Sequence, residues 1–129
     1  MQTSVVAQHS GPGENDDRAL ASAFVGYTIA ATVWLLFATA VGVLIAYKCG
    51  APDFAPGEWL TFGRLRPIHT NATFFGWASL ALVGLAYYVA ARSSGARLYS
   101  IKLAWIGLAL FNVAAVAGTV ALDLGYNDG

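Results

Sequence analysis

The chain has 129 residues, of which 57% are hydrophobic and 11% charged, with a formal net charge of zero. A water-soluble domain carries about a quarter charged residues, so this composition excludes an ordinary globular surface, and the neutral balance gives no reason to expect a nucleic-acid partner. A single cysteine, Cys49, rules out a disulfide framework or a cysteine-based metal site within one copy of the chain.

Residues 1–18 form a polar leader with the acidic cluster Glu14, Asp16 and Asp17. Its composition cannot bury enough apolar surface to fold alone, and it reads as a disordered tail. It also lacks the basic start of a secretory signal. The membrane-embedded part is expected to be 19–129.

From Arg18 to Lys48 no Asp, Glu, Lys or Arg occurs, and the same holds from Arg66 to Arg92 and from Lys102 to Asp123. About 20 apolar residues cross a hydrocarbon core of roughly 30 Å as a helix. The three runs therefore predict an all-α membrane protein with helices near 19–47, 67–91 and 99–122. Gly50-Ala51-Pro52 should stop the first helix, Pro56-Gly57 should turn the loop after it, and Pro67 should open the second helix at its first position, where a missing N–H costs little. Ser93-Ser94-Gly95 is the next turn. Aromatic residues at the span ends (Trp59, Phe62, Tyr87, Tyr88, Tyr99, Trp105) suit the interfacial belt.

The short loop near 92–102 holds Arg92, Arg97 and Lys102 without an acid, and Arg18 lies on the same side. That distribution predicts a cytoplasmic N-terminus and places the start of the second helix near the outer face. Small residues at four-residue spacing, Gly26 with Ala30, Ala38 with Gly42 and Ala46, and Ala114 with Gly118, mark candidate helix contacts.

Chemistry concentrates at one place. His69 is the sole ionisable residue of the Asp, Glu, Lys, Arg and His set inside the three expected spans. Such residues in a membrane are functional candidates, and imidazole is a common axial ligand of heme iron. An interfacial histidine without a ligand is the alternative. Ala72, Thr73 and Gly76 share the helix face of His69 and are small enough to admit a porphyrin. Arg64 and Arg66 lie at the same membrane level, where guanidinium groups could meet heme propionates, or alternatively solvent and lipid headgroups.

The run Leu60-Thr61-Phe62-Gly63-Arg64-Leu65-Arg66-Pro67-Ile68-His69-Thr70-Asn71 closely resembles the start of the second helix in subunit I of cbb3-type cytochrome c oxidases, members of the heme-copper oxidase superfamily. The resemblance extends more loosely from about residue 20 to 129. It implies that His69 is one axial ligand of a low-spin heme b and that Arg66 contacts a heme propionate. Arg64 is a second, weaker candidate for the propionate side. It further implies an N-terminal piece of a catalytic subunit I in a bacterial-type inner membrane, partnered by the rest of subunit I, by other oxidase subunits and by cytochrome c as electron donor. Such an enzyme reduces oxygen to water and moves protons. The second low-spin heme ligand, the high-spin heme ligand and the copper histidines of that family have no counterpart here. The chain is therefore expected to be a fragment or one part of a split subunit, without an oxygen-reducing site of its own. Two other readings remain open: a relative of the nitric oxide reductase large subunit, and a non-catalytic three-helix subunit of a respiratory complex.

Overall fold

A computed structural model describes residues 12–54, 57–95 and 98–126. Helix α1 spans Pro12–Gly50. A 3-10 turn at Glu58–Leu60 leads into α2, Phe62–Asn71. A π-helical segment, Ala72–Ala78, joins α2 without a break to α3, Ser79–Ser94. Helix α4 spans Ile101–Asp123. Three continuous helical stretches are long and apolar enough to cross a membrane: Gly13–Gly50, Phe62–Ser94 and Ile101–Asp123.

The element boundaries depart from the sequence expectation in three places. Residues 12–18, expected to be part of a disordered tail, belong to α1, while residues 1–11 lie outside the described residues. Extending an existing helix avoids the nucleation cost that an isolated polar leader would face. Glu14 in the first turn suits the helix dipole and pairs with Arg18 one turn on. Both side chains are largely exposed, so the pair itself adds only a few tenths of a kcal/mol. At about 1.5 Å per residue, α1 exceeds the hydrocarbon thickness, and these polar turns stand outside it.

The second departure is Pro67. It lies inside α2 rather than at its first position. A helical proline removes one N–H and crowds the carbonyl four residues earlier. That residue is Gly63, which is exposed and has open space where a Cβ would stand. The third departure is the π segment, where i→i+5 bonding replaces the α-helical pattern. At the far end, Gly95 terminates α3 in the left-handed conformation, with φ 62°.

The core is a narrow seam. From α1 it takes Leu20, Ala23, Tyr27, Ala31, Trp34 and Ala38, repeating at three and four residues. The second stretch contributes Leu65, Ile68, Ala72, Gly76, Leu80 and Gly84, and α4 contributes Ala104, Leu108 and Ala115. Close approach depends on small residues. A Cβ at Gly84 would stand 2.5 Å from Tyr27, and one at Gly26 would stand 2.7 Å from the Trp105 ring. Polar side chains lock the seam: the Tyr27 hydroxyl donates to the Ala104 carbonyl at 2.9 Å, and Trp34 Nε1 donates to Asn112 Oδ1 at 3.0 Å. Elsewhere large apolar side chains such as Leu36, Leu110 and Val113 point outward. Apolar lipid, or further apolar helices, tolerates such a surface, whereas water does not.

Asp17 at the start of α1 lies 3.5 Å from Arg92 near the end of α3. The N-terminal end of α1 and the turn after α3 therefore share one face of the bundle. The start of α2 and the end of α4 share the other, where Arg64 meets Asp123.

Candidate functional site

The site is built where α2 leaves its first turns and lies against α1. The carbonyl of Thr61, in extended backbone, accepts the amides of Arg64 and Leu65 at 3.1 and 3.0 Å and so starts the helix. Leu65 and Ile68 turn inward, which sets the phase of the residues between and beyond them. His69 then faces α1, half-buried, with Nδ1 at 2.8 Å from the Ala38 carbonyl.

A carbonyl oxygen can only accept a hydrogen bond. Nδ1 of the neutral ring therefore carries the proton, and Nε2 carries the lone pair. Nε2 makes no hydrogen bond within the described residues, and no buried side-chain nitrogen or oxygen there lacks a partner. Nε2 is thus not fully enclosed by the described residues, and its lone pair is uncommitted among them. Thr73 Oγ1 donates to the His69 backbone carbonyl at 2.7 Å, which spends the hydroxyl on the helix rather than on a ligand.

The other residues expected at this site divide into two groups. Arg66 is exposed and forms no side-chain hydrogen bond or ion pair with the described residues. It stands one helical step from His69 with its guanidinium available. Arg64 is committed elsewhere. Its Nη1 donates to the Asp123 carbonyl at 2.9 Å, and its guanidinium lies 5.2 Å from the centroid of the Trp59 ring. A cation at the last carbonyls of α4 complements the helix dipole.

Ala72 and Gly76 make a helix contact that was not assigned to them from sequence. Both are buried in the seam, and the Trp34 ring of α1 occupies the space beside Gly76. Their small size admits the close approach of α1. Three participants were not assigned to the site from sequence. The Ala38 carbonyl and Gly42 form the surface on which His69 rests, and their four-residue spacing marked that stripe. Asn71 donates through Nδ2 to the Ala115 carbonyl and to Thr119 Oγ1, both at 3.1 Å, tying α2 to α4. Nothing in the spacing of Asn71 distinguished a helix tie from a lipid-facing amide. Among the described residues, no three His, Cys, Asp or Glu side chains form a metal-holding group.

Residues 22–128 match the family of Cytochrome C and Quinol oxidase polypeptide I. The chain belongs to that family. It is 36% identical over 106 residues to cytochrome c oxidase subunit 1 of Rhodobacter capsulatus, covering 78% of this chain and 20% of the relative. It is 33% identical over 106 residues to a cytochrome c oxidase subunit 1 homolog of Agrobacterium tumefaciens, covering 81% and 20%. It is 32% identical over 101 residues to the Cbb3-type cytochrome c oxidase subunit CcoN1 of Stutzerimonas stutzeri, covering 78% and 21%. The chain thus spans about a fifth of the length of these relatives. No solved structure matches it. The resemblance to cbb3-type oxidases read from the Leu60–Asn71 run is borne out by these relatives, as is the helical membrane architecture.

Proposed function

We propose that this chain supplies one axial ligand, His69 Nε2, to a low-spin heme b in subunit I of a cbb3-type terminal oxidase. In this reading the complete complex takes electrons from cytochrome c, reduces oxygen to water and translocates protons in a bacterial inner membrane, with the N-terminus of this chain cytoplasmic. The high-spin heme, the copper and the second ligand of heme b belong to the remainder of subunit I, which packs with the other oxidase subunits on the outward apolar faces. One observation carries the proposal: the Nδ1–H of His69 is held by the Ala38 carbonyl at 2.8 Å while Nε2 is left free. Metal-bound histidines characteristically donate their second nitrogen in this way, which fixes the tautomer and the ring plane.

The residues present fit half of a heme site. When bound, heme b supplies one-electron transfer at its iron. His69 presents its Nε2 lone pair in one fixed direction, because its Nδ1 proton is held by the Ala38 carbonyl. Arg66 offers a charge-assisted, bidentate partner to a propionate at the membrane surface. Arg64, bonded to the end of α4, contributes positive potential at the same level. Thr73 bonds the carbonyl of the ligand residue, and Ala72 and Gly76 hold that turn against α1.

The test is His69→Ala in the assembled complex, followed by a reduced-minus-oxidised absorption spectrum. Loss of the low-spin heme b band with normal membrane insertion is expected. A retained low-spin band excludes His69 as the ligand.

A further inference from the structure

Position 42 decides whether His69 can reach the carbonyl that orients it. Side chains on a helix lean back over the preceding turn, so residue 42 covers the surface around the Ala38 carbonyl. Gly42 leaves that surface bare, and the imidazole of His69 lies directly on it. A Cβ at position 42 would stand 2.9 Å from Cε1, 3.2 Å from Nδ1 and 3.6 Å from Nε2 of the ring. The first distance is shorter than real Cβ contacts allow. The obstruction falls on a ring whose Nδ1 is fixed by a hydrogen bond, so the ring can relieve the contact only by leaving the carbonyl. The Ala38 carbonyl has two lone pairs and accepts the imidazole proton in addition to its place in the helix ladder.

We infer that Gly42 is a positioning residue for the heme ligand: its missing side chain opens the Ala38 carbonyl to His69 Nδ1–H and thereby sets the orientation and donor strength of Nε2. This rests on the assignment of His69 as a heme ligand. A proton held by a carbonyl makes the opposite nitrogen more electron-rich, and an electron-rich ligand favours ferric over ferrous iron. Hydrogen bonding around the axial ligand is one of the means by which a protein tunes a heme potential. Displacing the ring from Ala38 therefore raises the potential of heme b and loosens its retention.

The experiment uses the assembled complex in its membrane, with redox titration of the heme b band in Gly42→Ala, Gly26→Ala and His69→Ala. Gly26 is the control because it lies on the same helix and is equally crowded, by Trp105 at 2.7 Å, but away from His69. Disturbing an outer partner of a metal ligand typically changes affinity tenfold or more. The expected result for Gly42→Ala is an upward shift equivalent to about tenfold in the ferric–ferrous equilibrium, about 59 mV for one electron, with Gly26→Ala unshifted. An unshifted Gly42→Ala, or equal shifts in both glycine variants, overturns the inference while leaving the ligand assignment intact. A low-spin band surviving His69→Ala overturns the ligand assignment itself. If Gly42→Ala does not assemble, electron–nuclear double resonance on the ferric heme of the unsubstituted complex reads the Nδ1 proton directly. Slow exchange of that proton in deuterated buffer supports a carbonyl-held site, and exchange at the rate of an exposed imidazole overturns it.

Discussion

Trp34 offers a quantitative probe of what holds the bundle together. It is 8% exposed, lies against Gly76, meets Phe37 edge-on at 5.8 Å and donates its indole proton to Asn112. Trp34→Phe removes mainly the hydrogen bond. Interhelical hydrogen bonds in a bilayer average about 0.6 kcal/mol and reach about 1.7 kcal/mol, so the loss should fall in that range. Trp34→Ala also opens a cavity in the seam. The same change in a water-soluble core costs about 3–5 kcal/mol, but part of that comes from transfer out of water, which lipid does not supply. Lost dispersion and the cavity leave on the order of 2 kcal/mol beyond the hydrogen bond. The alanine variant should thus be clearly worse than the phenylalanine variant in the fraction of complex surviving a graded heat step, read by size exclusion. A double-mutant cycle with Asn112→Leu should return a coupling near the hydrogen-bond value. Equal survival of the alanine and phenylalanine variants would refute the claim that ring packing on Gly76, rather than the polar tie, dominates this contact.

Three further outcomes follow from the site and the topology. Arg66→Leu should lower the heme b potential or its retention, because a positive charge beside the propionates favours the reduced state; unchanged potential and heme content exclude that contact. In a Cys49→Ser background, Tyr99→Cys, at a position 97% exposed in the structure, should react with a membrane-impermeant thiol reagent only from the cytoplasmic side; labelling from outside reverses the proposed orientation. Deleting Phe75, an exposed residue of the π segment, should abolish the low-spin heme b band without reducing helix content by circular dichroism, whereas Phe75→Ala keeps both. A deletion variant with a normal band shows that the segment does not set the phase of His69.

The membrane helices were legible because uninterrupted apolar runs encode them almost directly, and the specific run around His69 carried the family. The ends were less legible for physical reasons. Residues 12–18 have no apolar face, yet they continue a helix whose nucleation is already provided by the span that follows. Pro67 read as a helix start because proline is tolerated there, whereas the helix already begins at Phe62, just over one turn earlier. At the site, His69 and Arg66 could be singled out by residue type. Arg64 could not be separated from Arg66 by sequence distance, since its partner, the Asp123 carbonyl, lies 59 residues away. Small residues were ambiguous in the same manner. Ala72 and Gly76 suit a porphyrin or a neighbouring helix equally well by size, and nothing in the sequence announced that Trp34 lies beside Gly76.

The π segment explains how one continuous stretch satisfies two demands of α1 at once. Its buried positions, Ala72, Gly76, Leu80 and Gly84, recur every four residues. In a regular α-helix of 3.6 residues per turn, that spacing drifts steadily around the axis. A straight α-helix could therefore keep Ala72 in the seam or keep Gly84 against Tyr27, but the accumulated drift, about a third of a turn over that span, works against holding both. A wider turn between the two contacts takes up the extra residue and returns the seam to the α1 face. The segment begins three residues beyond His69, and the Thr73 hydroxyl within it bonds the His69 carbonyl. The irregular segment that restores the packing is thus tied through Thr73 to the backbone of the residue that meets Ala38. This is a physical reason for an irregular turn to lie within the buried seam, three residues beyond His69.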